Sequence, residues 1–188
     1  MLRKSSLLIG VLALAASFAV NAQDAIPGPQ LGDKFAHDLA AADQNGQMQT
    51  LDDLMGEKGA AIFFVRSADW CPFCQRQLGD VNERLAEFEA LGLNAISVSV
   101  DDVAEIAAFA KEHNVAYTML ADPAGDINKT LGIRDEQYPV GSKAFGVPRP
   151  ILYIVDTSRT IRALYMEPTY RTRPDLDMVL ADASKLGL

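Results

Sequence analysis

Apolar positions in the central part of the chain change period several times, from strand-like to helix-like. Ala60 to Val65 is a continuous apolar run of strand length, which is typical of a strand covered on both faces. Residues 95–100 alternate between apolar and small polar side chains, the period of a second strand. Between them, apolar residues recur every three or four positions and predict one long helix: Leu78, Val81, Leu85, Phe88 and Leu91.

The pattern of apolar and polar positions also predicts the remaining elements of the chain. A helix capped by Asp101 or Asp102 begins near Val103, and Gly79 marks the weak point of the preceding helix. Further on, the patterns indicate a short strand, a brief helix, two strands and a final helix: residues 116–120, 126–131, 151–155, 160–166 and 174–186. Strands that alternate with helices imply right-handed crossovers, so the sequence predicts an α/β fold with a mixed central sheet and helices on both faces.

Residues 23–58, which precede this core, are predicted to form a structure at its edge rather than a separate domain. Asn45-Gly46 favours the tight turn of a β-hairpin, and Leu51 to Leu54 predicts one short helical turn. The chain has 188 residues. Residues 23–188 therefore fit a single domain that carries the hairpin as an N-terminal extension.

Residues 1–22 have the pattern of a secretory signal peptide. Arg3 and Lys4 precede an apolar run from Leu7 to Val20, and small residues stand before a cut after Ala22. The run is shorter than the roughly 20 residues that a spanning helix needs. We expect export across the inner membrane to the periplasm, with no stable membrane insertion after the signal is removed. An uncleaved anchor is the alternative.

The chain is acidic, with a formal net charge of −8. An acidic surface repels nucleic acid and anionic membranes, so neither is an expected partner.

Both cysteines of the protein, Cys71 and Cys74, stand at the predicted start of the long helix. Unpaired backbone N–H groups and the helix dipole favour a thiolate there, and Pro72 suits the first helical position. Cys74 lies one turn on, where it can attack an adduct formed at Cys71. Trp70 is expected to shield one side of the sulfur. The pattern predicts a redox-active disulfide with Cys71 as nucleophile and Cys74 as resolving thiol.

Three other interpretations remain for this pair. A structural disulfide closes so short a loop that it adds little stability. A structural zinc site requires four ligands, and only His37 and His113 could join the two cysteines. Two inert buried thiols are the third. We expect no metal and no cofactor.

Residues 68–74, Ala-Asp-Trp-Cys-Pro-Phe-Cys, resemble the thioredoxin active-site stretch, with a Pro-Phe insert closer to glutaredoxins. The element order resembles the AhpC/TSA peroxiredoxin and redoxin branch over about residues 28–186. The resemblance implies a thioredoxin-like three-layer fold. It also implies a cis-proline opposite the cysteines, for which Pro150 is the choice and Pro148 the reserve. Arg149 would then lie near Cys71.

The sequence departs from the patterns of these families at three positions. Val65 stands where thioredoxins carry a buried Asp, and Phe64 and Ala68 stand where peroxiredoxins carry a Pro and a Thr. Two cations in residues 167–173 either flank the site or belong to a solvated helix start.

The expected function is thiol-disulfide exchange on protein or small-molecule disulfides. A thiol-dependent, peroxiredoxin-like antioxidant peroxidase is the alternative, and a non-enzymatic binding module is the third. Either reaction requires an unidentified thiol electron donor or acceptor as partner.

Overall fold

The computed structural model describes residues 26–35 and 39–188, so the predicted signal peptide and His37 lie outside the described residues. The central sheet has five strands, β3 (Gly59–Phe64), β4 (Leu93–Ser99), β5 (Thr118–Ala121), β6 (Ile151–Asp156) and β7 (Ile161–Tyr165). Their order across the sheet is β5-β4-β3-β6-β7. β3, β4 and β5 run parallel, whereas β6 is antiparallel to β3 and to β7. The mixed central sheet is therefore confirmed.

The predicted hairpin is present as β1 (Ala40–Ala42) and β2 (Met48–Thr50), which pair antiparallel. Gly46 takes the turn with a φ of 76°, a conformation that glycine adopts without strain. The Asp43 carboxylate accepts the N–H groups of Asn45 and Gln47 at 2.8 and 2.9 Å and fixes the turn. A 3-10 turn over Asp52–Leu54 follows.

Five helices complete the described chain: α1 (Pro72–Glu83), α2 (Leu85–Ala90), α3 (Val103–His113), α4 (Asp126–Thr130) and α5 (Leu176–Ala183). The prediction of one long helix is wrong, because Arg84 leaves the helical region with φ −104° and ψ 10° and separates α1 from α2. Gly79 remains inside α1. Asp102 caps α3 in a complete capping box with Glu105, as one of the two candidates predicted.

Two apolar clusters cover the two faces of the sheet. The long helices share one face, where residues such as Leu78, Ile106 and Val179 pack against Ala61 and Phe63. The other face is covered by the short helix α4 and the N-terminal segment, represented by Ile127, Phe35 and Leu51. Helices on both faces are confirmed, although the longer ones lie together. No helix of the described residues is long and apolar enough to cross a membrane.

Candidate active site

Cys71 and Cys74 form a disulfide at the start of α1, with their Cα atoms 5.2 Å apart. Cys71 is the N-cap residue, and its sulfur accepts the Cys74 N–H at 3.3 Å. Pro72 occupies the first helical position, where no backbone donor is required. The sulfur of Cys71 therefore lies where backbone donors and the helix dipole stabilise a thiolate once the bond is reduced.

The disulfide is buried in the structure. The exposed fraction is 2% for Cys71 and 0% for Cys74, and both belong to the larger apolar cluster. Trp70 is half-buried and packs against the same cluster. A substrate therefore meets a nearly closed site in the oxidised protein, in which Cys71 is the slightly more exposed residue.

A buried polar network holds the loop that leads into Cys71. The Asp101 carboxylate accepts the Ser67 hydroxyl and the Ala68 N–H, each at 2.5 Å, and the Ser99 hydroxyl at 2.7 Å. The Ser67 oxygen in turn accepts the N–H of Trp70 at 3.1 Å. The loop is thus anchored to the end of β4 by bonds that are shielded from water.

Arg66 lies in an aromatic enclosure next to this loop. Its guanidinium carbon is 5.1, 5.2 and 4.4 Å from the ring centroids of Trp70, Tyr138 and Tyr170. One terminal nitrogen donates to the Tyr138 hydroxyl at 3.2 Å, whereas Nε has no partner among the described residues. Arg66 is only 7% exposed, so it places a buried positive charge beside Trp70.

Arg173 brings a second cation directly to the disulfide. Its Nη2 donates to the Cys74 sulfur at 3.2 Å, and its Nε donates to the Gln77 side-chain oxygen at 2.5 Å. Burial and, to a smaller extent, the charge of Arg66 together lower the pKa of Arg173 to about 10. The side chain still carries its proton at neutral pH.

Only some of the residues predicted to support the active site lie next to the cysteines in the structure. Trp70 and Pro72 flank Cys71. Arg149 is half-buried and its N–H donates to the Ile133 carbonyl at 2.8 Å, but in the described chain no hydrogen bond links its side chain to either sulfur. Arg173 makes the sulfur contact instead.

The prediction of a cis peptide bond before Pro150, or before Pro148 as the reserve, is wrong. Every peptide bond within the described residues is trans. The segment is held by backbone pairing, because Pro148 forms an isolated bridge with Arg134 and the Arg149 backbone N–H donates to the Ile133 carbonyl.

Sequence reasoning missed Arg66, Gln77, Tyr138 and Tyr170, and it gave Arg173 only as one of two cations that might flank the site. The one available signal was the cation-rich segment of residues 167–173. Among the residues that the structure describes, no group of three or more His, Cys, Asp or Glu side chains is placed to hold a metal ion.

The model of the AhpC/TSA family matches residues 31–164, a range that includes the disulfide and the central sheet up to the last residue but one of β7. This chain belongs to the AhpC/TSA family. The resemblance stated from the sequence is thereby confirmed, and the protein is an oxidoreductase of this family.

Individual relatives of this AhpC/TSA chain are distant. It is 25% identical over 134 residues to a putative peroxiredoxin of Mycobacterium tuberculosis, covering 71% of this chain and 83% of that protein. It is 26% identical over 123 residues to the chloroplastic peroxiredoxin Q of Gentiana triflora, covering 65% of this chain. The match spans only about half of the latter protein, 53% of its length.

Solved structures agree on the fold. Peroxiredoxin 6 of Arenicola marina superposes with a TM-score of 0.74 at 20% identity, covering 85% of this chain and 74% of that one. Peroxidoxin BcpB of Mycobacterium tuberculosis superposes with a TM-score of 0.69 at 22% identity, covering 82% of this chain and 96% of that one. The predicted thioredoxin-like fold is confirmed.

Proposed function

We propose that this protein is a thiol peroxidase in which Cys71 reduces a peroxide and Cys74 completes the cycle. The observation that carries the proposal is the AhpC/TSA match across a bonded cysteine pair at the start of α1. The named relatives are peroxiredoxins. They favour the peroxidase, which the sequence analysis gave as its alternative, over general thiol-disulfide exchange.

The proposed reaction has three steps. The Cys71 thiolate attacks one peroxide oxygen, the O–O bond breaks, and a sulfenic acid forms as water or an alcohol leaves after protonation. Cys74 then attacks the Cys71 sulfur, which breaks the S–O bond, forms the disulfide and releases water. A thiol donor finally reduces the disulfide by exchange and takes up the oxidising equivalents.

The site supports the first step through charge rather than through hydroxyl groups. Phe64 and Ala68 are buried and apolar, and the Ser67 hydroxyl is already bonded to Asp101. Arg66 and Arg173 instead give a positive potential at the sulfurs, which stabilises a thiolate and the negative charge that develops on the departing oxygen.

The test is a trapping experiment on the reduced protein. In Cys74→Ser, one equivalent of hydrogen peroxide should yield a sulfenic acid at Cys71 that a dimedone probe captures and mass spectrometry locates. Wild-type protein should yield the intramolecular disulfide without a captured adduct, and Cys71→Ser should yield neither. Labelling of Cys74→Ser at the rate of free cysteine would overturn the proposal.

Thiol-disulfide exchange remains the second candidate, because the Cys-x-x-Cys pair is itself a disulfide at a helix start. It is supported if Cys74→Ser accumulates mixed disulfides with partner proteins at Cys71 while its reaction with peroxide is slow.

We also propose that the protein works in the periplasm after removal of residues 1–22. Cell fractionation with N-terminal sequencing tests this, since the mature chain should begin at Gln23 in the periplasmic fraction. A chain that begins at Met1 in the membrane fraction would contradict it.

A further inference from the structure

We propose that Arg173 ionises Cys74, so that the resolving thiol attacks as a thiolate without a neighbouring carboxylate to remove its proton. The inference rests on the proposed function, in which Cys74 attacks an oxidised Cys71, and it assigns a residue to that step.

The position of the Arg173 guanidinium is fixed from several directions. Nη2 donates to the Cys74 sulfur at 3.2 Å, and Nε donates to Gln77 at 2.5 Å. Nη1 donates to the backbone carbonyls of Tyr170 and Thr172, each at 2.7 Å. Because three nitrogen atoms are all engaged, the charge is held against the sulfur rather than sampling solvent.

Among the described residues, Arg173 is the one charged side chain that bonds to the Cys74 sulfur. Cys74 has no exposed surface, and burial alone raises the pKa of a thiol because it disfavours the charged form. Val65, which stands where thioredoxins carry an acid, is buried and apolar. In the described part of the chain, no carboxylate bonds to either sulfur.

Charged groups around Arg173 leave its charge available to the sulfur. It lines a surface cleft with the acidic residues Asp80, Glu83, Asp175 and Asp177 and with Arg84. Within the described ranges, none of these carboxylates lies within ion-pair distance of Arg173, and Arg84 itself pairs with Glu87 and Asp177. The buried Arg66 repels the half-buried Arg173, and a thiolate at Cys74 would offset this repulsion.

The resolving step then balances without a base. When a thiol donor reduces the disulfide by attacking the Cys71 sulfur, the S–S bond breaks and Cys74 leaves as a thiolate that stays bonded to Arg173. After peroxide has oxidised Cys71 to the sulfenic acid, the Cys74 thiolate attacks that sulfur. The S–S bond forms, the S–O bond breaks, and the hydroxide that leaves takes a proton from solvent to become water.

The direct test measures the pKa of Cys74 in a Cys71→Ser background from ultraviolet thiolate absorbance, with the double variant Cys71→Ser/Cys74→Ser as the blank. Arg173→Gln should raise this pKa by about one to three units, the range for loss of a close opposite charge. Arg173→Lys keeps the positive charge but loses the several donors of the planar guanidinium, so it should raise the pKa of Cys74 less than Arg173→Gln does. Arg171→Gln is the matched control, because Arg171 lies on the same loop but stacks on Tyr170.

A kinetic measurement on proteins with both cysteines separates this inference from the peroxidase proposal. Arg173→Gln should form the disulfide from sulfenic acid at least about tenfold more slowly at neutral pH and should recover as pH rises, since one pKa unit corresponds to a tenfold change in thiolate. The Arg171→Gln control should match wild type.

Two results would overturn the inference. One is a Cys74 pKa in Arg173→Gln equal to that of the Arg171→Gln control. The other is a disulfide-forming step whose pH profile does not move. If Arg173→Gln does not fold by circular dichroism, Arg173→Lys decides the case, because it must raise the pKa above that of the same control. Cys74 ionisation is measured without peroxide, so failure of the peroxidase proposal would show only in the trapping experiment.

Discussion

The Ser67 hydroxyl donates to the Asp101 carboxylate over 2.5 Å, and this buried bond joins the loop before Cys71 to the end of β4. The Ser67 oxygen also accepts the N–H groups of Asp69 and Trp70, at 3.0 and 3.1 Å. One carboxylate therefore orients the three residues that precede the nucleophile. The sulfur of Cys71 depends for its position on a group thirty residues further along the chain.

Replacing Asp101→Asn should destabilise the protein and slow the reaction of Cys71 with peroxide. The amide retains one acceptor oxygen for three donors, so we expect a loss of about 1–3 kcal/mol in the free energy of unfolding. Urea denaturation measures it. Asp102→Asn is the matched control, because asparagine caps a helix as well as aspartate does. Equal stabilities of the two variants would show that the network does not hold the loop.

Arg66→Lys should lose stability although it keeps the charge. A lysine ammonium does not stack flat on three rings, so contacts with Trp70, Tyr138 and Tyr170 are lost. We expect a loss of about 1–2 kcal/mol, compared by thermal or urea unfolding. Arg76→Lys serves as control, because Arg76 is exposed and lies 6.0 Å from the Phe73 ring. An Arg66→Lys variant as stable as this control would show that the aromatic enclosure of Arg66 does not contribute to the stability of the protein.

Two glycines should respond to alanine in opposite directions. Gly59 has a φ of 149°, and a Cβ there would overlap the carbonyl oxygen of Val155 on the neighbouring strand, so Gly59→Ala should cost at least about 2 kcal/mol. Gly79 lies within α1 and a Cβ there meets nothing within 4 Å, so Gly79→Ala should stabilise by about 0.5–1 kcal/mol. Chemical denaturation of both variants checks the signs, and a shared sign would contradict these backbone environments.

Asp156 should contribute stability that depends on pH. Burial alone would raise the pKa of this carboxyl, but hydrogen bonds from Ser158, the Thr160 N–H and Arg162 outweigh it and lower the pKa below its ordinary value. A lowered folded pKa stabilises the protein above the unfolded pKa of about 3.9, and this stability is lost as pH falls through the folded value.

Asp156→Asn should therefore cost about 1–2 kcal/mol at neutral pH, where the carboxylate is charged. The difference from wild type should shrink below about pH 4. Urea unfolding at a series of pH values measures both proteins side by side. A difference that stays constant from neutral to acidic pH would show that the carboxylate charge makes no contribution.

Local patterns were sufficient for most of the fold. The apolar run before Cys71 and the alternation of residues 95–100 correspond to β3 and β4, because a strand has a period of two in its sequence. The alternation did not show which face of β4 is buried, since Ser97 and Ser99 are buried too. The helix was predicted as continuous with Gly79 as its weak point, but Gly79 stays helical in open surroundings and the break comes at Arg84. The actual break at Arg84 accompanies a side chain that pairs with Glu87 and with Asp177 on α5, a tertiary contact that local sequence does not reveal.

The sequence predicted the site residues that are adjacent to the cysteines in the chain, but not those that reach the site from distant positions. The cysteine pair, Trp70 and Pro72 were visible because they are adjacent in sequence. Arg173 contacts Cys74 from 99 positions away, and Arg66 meets Tyr138 from 72 positions away. Such cations are indistinguishable in sequence from solvated ones. Arg149 was chosen because the resemblance placed it next to the expected cis-proline.

The peroxidase account is tested most directly by the rates at which the reduced protein reacts with hydrogen peroxide and with a small disulfide. Trp70 is the single tryptophan of the chain and adjoins Cys71, so stopped-flow fluorescence can follow both reactions. The account predicts oxidation by peroxide at least about 100-fold faster than that of free cysteine thiolate, the effect of a preorganised electrostatic site. It also predicts slower exchange with the disulfide. Peroxide oxidation at the free-thiol rate, together with faster disulfide exchange, would contradict it.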